Sequence, residues 1–219
     1  MTSSYLNKKF TNNIPIHKIK TILECGSRDA LDAVDLYNYY RPCQVYAFEC
    51  NPESIPVCKF NINGHPYIKL IEKAVYNTNG IVYFYPTDMD RSIDKNIGAS
   101  SMLWHRDNKN EYFQKKLQVE AIRLDTFLKE EKISTVDLLC MDVQGVEIEL
   151  FEGMGDYLKD VRYIISEVCF EKFYEGGALY PEIKEYLEER GFIFITGSGF
   201  VGNRFHGLTN CLFRNKNRT

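Results

Sequence analysis

The chain has 219 residues, 44% of them hydrophobic and 26% charged, which suits one domain able to bury its own core without staples. A net charge of −3 offers no general attraction to nucleic acid or to an anionic membrane surface, so neither is expected as a partner. No apolar run nears the roughly 20 residues that span a bilayer, and the N-terminal stretch MTSSYLNKKFTNNIPIHKIK lacks the apolar centre of a secretory signal.

Residues 1–20 read as an N-terminal extension, with Lys8, Lys9, Lys18 and Lys20 but no acid. TILEC (21–25) is a short strand that stops at Gly26, and from Asp29, a plausible N-cap, to Tyr40 the apolar residues fall at helical spacing. QVYAFEC (44–50) is β-rich and ends at Asn51-Pro52, where Pro52 suits the first turn of a helix running to about Asn63. YIKLIEKAV (67–75) is the third strand, and GIVYFYP (80–86) after Asn79-Gly80 reads as its hairpin partner. Residues 87–118 are polar and irregular, too long for an ordinary connector, and suit a lid or an acceptor wall.

QVEAIRL (118–124) returns to strand character, and Asp125 can cap a short helix reaching Lys132. VDLLCMDV (136–143) precedes a helical pattern with Val146, Leu150 and Phe151 on one face. VRYIISEV (161–168), a helix over Pro181–Arg190, and a closing antiparallel pair, FIFIT (192–196) and GLTNCLF (207–213), complete a domain spanning 21–214. A basic tail, 215–219, follows. Strands alternating with helices predict an α/β fold with a mostly parallel sheet, helices on both faces and a C-terminal antiparallel hairpin. The seven cysteines form no CxxC pair, which reads as reduced, cytoplasmic chemistry without a metal site.

In such sheets ligands bind at the carboxyl ends of the strands. The first strand delivers Glu24, Cys25, Gly26, Ser27, Arg28 and Asp29, where Gly26 permits close approach and the next helix offers free N–H groups. The second delivers Glu49, 23 positions after Gly26, a carboxylate able to accept both hydroxyls of a ribose. A full GxGxxG is missing, and Ser27, Arg28 and Asp29 would crowd a pyrophosphate. The implied ligand has a ribose and no bridging phosphates.

ILECGSRDA followed by VYAFECNPE resembles the first two ligand-binding motifs of the FkbM family of methyltransferases. EKAVYNTNGIVYFY, GASSML (98–103), AIRLDTFL (121–128) and DLLCMDVQGVEIELFEGM (137–154) resemble later segments of that family, in order, over roughly residues 20–170. The resemblance implies a seven-stranded Rossmann-like sheet and S-adenosylmethionine as cofactor. It places Glu24 and Gly26 near the methionine part, Glu49 on the ribose, Ala74 by the adenine and Asp142 facing the methyl group. Cys25, Ser27, Arg28, Cys50, Asn51, Val75, Ser100 and Val143 are the remaining cofactor-binding candidates. Gln144 departs from the pattern, standing where the family commonly has Glu.

For a hydroxyl acceptor, a positioned carboxylate or histidine must take a proton. Asp142, Glu167 and His206 are the catalytic candidates. Ser101, Trp104, His105, Gln144, Glu147 and Tyr174 are the acceptor-binding ones. The expected activity is S-adenosylmethionine-dependent O-methylation of a small acceptor, with a sugar or glycan hydroxyl favoured from what FkbM relatives do. An NAD-dependent oxidoreductase using Glu49 and a catalytically silent binding protein of the same fold are the alternatives.

Overall fold

In chain order the strands are β1 (Thr21–Cys25), β2 (Gln44–Phe48), β3 (Ile68–Ile71), β4 (Ala74–Val75), β5 (Gly80–Phe84), β6 (Leu117–Ile122), β7 (Val136–Met141), β8 (Val161–Cys169), β9 (Phe192–Gly197) and β10 (Leu208–Asn215). The helices are α1 (Lys8–Thr11), α2 (Leu31–Tyr40), α3 (Ile55–Asn61), α4 (Leu124–Glu130), α5 (Glu147–Met154) and α6 (Tyr180–Glu189). This computed structural model describes residues 3–93, 95–106, 112–199 and 207–218.

Seven strands form the main sheet in the order β3-β2-β1-β7-β8-β10-β9. β1 pairs in parallel with β2 on one side and β7 on the other, so the strand order reverses at β1. β10 runs antiparallel to both β8 and β9, the closing hairpin expected from sequence. Side chains alternate across the strands with period two. Ile22, Leu138, Ile165 and Leu212 face a core shared with α2 and α3, whereas Leu23, Leu139, Ile164 and Phe213 face one shared with α4, α5 and α6. All six residues of β7 are buried, which is why VDLLCM is a nearly continuous apolar run. Its one acid, Asp137, accepts the Lys20 and Thr21 amides at 2.9 and 3.0 Å and pairs with Arg162 at 2.8 Å.

Several local expectations are corrected. The third-strand candidate divides at Glu72-Lys73: Ile68–Ile71 stays in the main sheet, while Ala74–Val75 joins a second, three-stranded sheet ordered β4-β6-β5. β5 is not its hairpin partner. It pairs antiparallel with β6, and β4 lies parallel to β6 on the other side, so the two strands are bridged by one distant in sequence. Pro52 precedes rather than starts the helix, since α3 begins at Ile55 with Pro56 in its first turn. Asp125 lies within the first turn of α4, paired with Arg123, which occupies the cap. Ala30, with a left-handed φ of 59°, occupies the cap of α2, although the Asp29 carboxylate still accepts the Leu31 amide at 3.1 Å.

The residues before β1 carry Tyr5, Phe10, Ile14 and Ile19 into the same core as α2 and α3, each 2% exposed or less. At the other end Asn215 is buried and Arg218 pairs with Asp160.

Candidate active site

The carboxyl ends of β1, β2 and β7 meet at the turn after Cys25. The Gly26 and Ser27 amides donate to the Phe48 carbonyl at 3.1 and 3.0 Å, and the Asp142 amide donates to the Cys25 carbonyl at 3.0 Å. Gly26 holds φ +87°, and a Cβ built there would stand 2.0 Å from the Asp142 carbonyl oxygen. No other residue fits this crossing of backbones. The Glu24 carboxylate is 1% exposed, accepts the Ser27 hydroxyl, and is pushed well above the usual carboxylate range by burial.

Glu49 is held from both sides. One carboxylate oxygen accepts the Arg28 amide at 2.6 Å and the other accepts the Asn51 amide at 2.7 Å. Burial raises its pKa, and the backbone amides of Asn51, Arg28 and Cys50 oppose the rise. A carboxylate oxygen has a second acceptor direction, so both oxygens keep one free for a ligand. Beside them the buried Asn51 side-chain amide nitrogen has no protein partner among the described residues, a donor waiting for an acceptor.

These groups border a crevice of about 840 Å³, counted out to its open mouth. Of the cofactor candidates, Gly26, Arg28, Glu49, Cys50, Asn51, Ala74, Val75, Ser100, Asp142 and Val143 line it. Glu24, Cys25 and Ser27 stand outside that lining, buried behind the turn. Sequence reasoning missed Tyr5, Asp32, Phe48, Ser54, Lys73, Phe84, Ile97, Gly98, Met102 and Val146. Phe48, Phe84, Met102 and Val146 give one part of the wall an apolar character that suits a flat heterocycle.

A polar network leads from the crevice across the sheet. The Gln144 side chain donates to Asp142 and, at 2.9 Å, to Glu167, and its oxygen accepts the Tyr174 hydroxyl at 2.6 Å. The Ser101 hydroxyl donates to the Gln144 carbonyl at 2.7 Å. Gln144 takes φ +53° and Gly145 φ +105°, the sharp turn that swings the amide between the two acids. Burial and the neighbouring Glu167 charge raise the Asp142 pKa well above its ordinary value, and burial raises that of Glu167. Burial thus pushes both acids in the same direction, and the Gln144 amide stands between them as a neutral donor to both.

Of the acceptor candidates, Ser101 and Gln144 line the crevice. Tyr174 reaches it only through Gln144. Trp104 packs on Tyr85 with ring centroids 4.2 Å apart, and the 7%-exposed His105 ring lies 4.2 Å from that of Tyr112, so both pack against neighbouring rings and neither borders the crevice. Glu147 is fully enclosed, one oxygen accepting the Gly145 amide at 3.0 Å and the other unpartnered among the described residues, with a pKa raised by burial to about 8. His206 lies outside the described residues.

Residues 24–194 match the model of the methyltransferase FkbM domain. The chain belongs to the FkbM methyltransferase family. FkbM enzymes use S-adenosylmethionine, and the nicotinamide alternative finds no support in the match. Among curated proteins the FkbM chain is 29% identical over 159 residues to the 2-O-methyltransferase NoeI of Sinorhizobium fredii, covering 71% of this chain and 65% of that one, so it spans less than two-thirds of that relative. Its fold is similar to methyltransferase FkbM of Methylobacillus flagellatus, with a TM-score of 0.60, 8% identity, and coverage of 96% of this chain and 48% of that one. It is also similar to M. capricolum TrmK, solved with S-adenosylhomocysteine, with a TM-score of 0.54, 13% identity, and coverage of 99% and 70%. No helix among the described residues is long and apolar enough to cross a membrane.

Proposed function

We propose that this FkbM protein is an O-methyltransferase that moves a methyl group from S-adenosylmethionine to a hydroxyl of a small acceptor, a sugar or glycan hydroxyl being favoured. The observation that carries the reading is the crevice at Gly26 and Glu49, where a carboxylate fixed by two backbone amides keeps one acceptor direction free on each oxygen. Glu49 holds the ribose hydroxyls, Ala74 and Val75 border the adenine, and Gly26 lets the aminoacyl part pass close to the backbone. The name of NoeI supports oxygen as the receiving atom. The preference for sugar rests on the family resemblance, and the acidic net charge disfavours a nucleic-acid acceptor.

When bound, S-adenosylmethionine supplies a methyl group already activated by its sulfonium. The chain's own task is to place the acceptor oxygen in line and to free its lone pair. Glu167 takes the hydroxyl proton on a carboxylate oxygen, with Asp142, the more strongly raised of the two acids, beside it. Gln144 holds both acids through its amide, and Tyr174 fixes that amide from the opposite side. Ser101 belongs to the acceptor wall, and Glu147 supports the turn at Gly145. Residues 21–214 act as the catalytic domain, in the cytoplasm, where reduced cysteines are stable.

Titration calorimetry with S-adenosylhomocysteine tests the cofactor half, and absence of binding at sub-millimolar concentration would end the proposal. A mass-spectrometric screen of hydroxylated acceptors for the gain of one methylene tests the other half. A product methylated on nitrogen or carbon would overturn it.

A further inference from the structure

The N-terminal segment enters the crevice from outside the stretch that matches the family, and it brings Tyr5 with it. This segment is fastened on both flanks. The Ser3 amide donates to Asp35 on α2 at 2.7 Å, the Asn210 side chain on β10 donates to Ser4 at 3.4 Å, and the Lys9 ammonium donates to the Gly197 and Ser198 carbonyls at 3.4 Å. The Tyr5 amide donates to the Ser3 hydroxyl at 3.2 Å, which sets the backbone from which the ring projects.

Tyr5 is only 2% exposed, and a tyrosine buried that deeply ordinarily gives its hydroxyl a protein partner. Among the described residues the Tyr5 hydroxyl has none, and the side chain lines the crevice. Its charged neighbours are Asp142, Glu24 and Asp32, which stand just past the end of β7, on β1 and at the start of α2. None belongs to β2 or β3, the side of the sheet that carries Glu49. Tyr5 therefore faces the end of the crevice opposite the ribose. Burial and those acids hold the phenol proton in place, so the hydroxyl is a neutral donor.

The aminoacyl end of S-adenosylmethionine carries an ammonium and a carboxylate. The acids at this end suit the ammonium, whereas the carboxylate needs donors: the Arg28 guanidinium, which also borders the crevice and acts on Asp142 and Asp32, is one, and a neutral hydroxyl that adds no negative charge is another. We propose that Tyr5 is a cofactor-binding residue whose hydroxyl donates a hydrogen bond to the aminoacyl carboxylate of S-adenosylmethionine, an inference that rests on the crevice being the cofactor site.

Calorimetry on the full chain and on Tyr5→Phe, each titrated with S-adenosylhomocysteine and with methylthioadenosine, tests it. Methylthioadenosine keeps the nucleoside and the thioether but lacks the aminoacyl chain. Tyr5→Phe is expected to weaken S-adenosylhomocysteine about tenfold or more and to leave methylthioadenosine within about twofold. Unchanged affinity for S-adenosylhomocysteine overturns the proposal, as does an equal loss for both ligands, which would mark Tyr5 as packing alone. A wild-type chain that binds neither ligand overturns the cofactor reading itself, and this assignment with it.

Discussion

Replacing Glu49 with glutamine exchanges one oxygen for an NH2 group at the centre of the proposed site. Each carboxylate oxygen now accepts one backbone amide, from Arg28 at 2.6 Å and from Asn51 at 2.7 Å, and offers its remaining direction to one ribose hydroxyl. Glutamine keeps an oxygen on one side and turns an NH2 toward an amide N–H on the other. One ribose bond is lost, the other loses its charge assistance, and the nucleoside should bind about 1.5–3 kcal/mol more weakly. That is roughly a ten- to hundredfold rise in Kd for S-adenosylhomocysteine. The opposed donors also cost the empty protein about 1–3 kcal/mol, so thermal melts without ligand must accompany the calorimetry to show that the variant is folded. A folded Glu49→Gln protein whose Kd lies within about twofold of wild type would refute the ribose assignment.

Gly26→Ala places a methyl group 2.0 Å from the Asp142 carbonyl at φ +87°, so urea unfolding should show a loss of at least about 2 kcal/mol. Equal stability would mean that the turn yields easily. Glu167→Gln should slow methyl transfer about a hundredfold or more, the usual worth of a general base, with S-adenosylhomocysteine affinity retained because Glu167 does not line the crevice. An unaltered single-turnover rate would dismiss it as the proton acceptor. Glu147 has a folded pKa of about 8, above its unfolded value of 4.5, so its contribution to stability is complete below pH 4.5 and is lost as pH rises through about 8. Glu147→Gln keeps the acceptor for Gly145 and removes the titration. Its melting temperature should gain on wild type as pH climbs, and parallel curves would disprove the shift.

Much of this was legible because it is local. β1, β2, β7 and β8 are short apolar runs, and Gly26, Glu49 and Asp142 mark their carboxyl ends. What escaped is set by distance. The partner of β5 lies beyond the whole of residues 85–116, and the turn signal Asn79-Gly80 says nothing about it, since Ala74–Val75 had already left the main sheet for β6. Tyr5, Phe10, Ile14 and Ile19 are single apolar residues in a polar, basic stretch, without a run or a periodicity to announce burial. Their spacing at intervals of four or five was the available signal. Gln144 illustrates the opposite case, where the substitution was visible but its use was not. Only the fold shows that an amide at this position can bond two acids that would otherwise face one another.

The reversal of strand order at β1 has a consequence for how such a protein can diversify. Under the proposed roles, nucleoside recognition belongs to the end of β2 and to β4, and proton handling to the end of β7 and to β8, with Asp142 bordering both. A lineage could therefore exchange the side chains around Gln144, Glu167 and Tyr174 to recruit a different alcohol while inheriting its methyl supply intact. Innovation on one flank would leave the other untouched, and the strand between them would be the hinge of that independence.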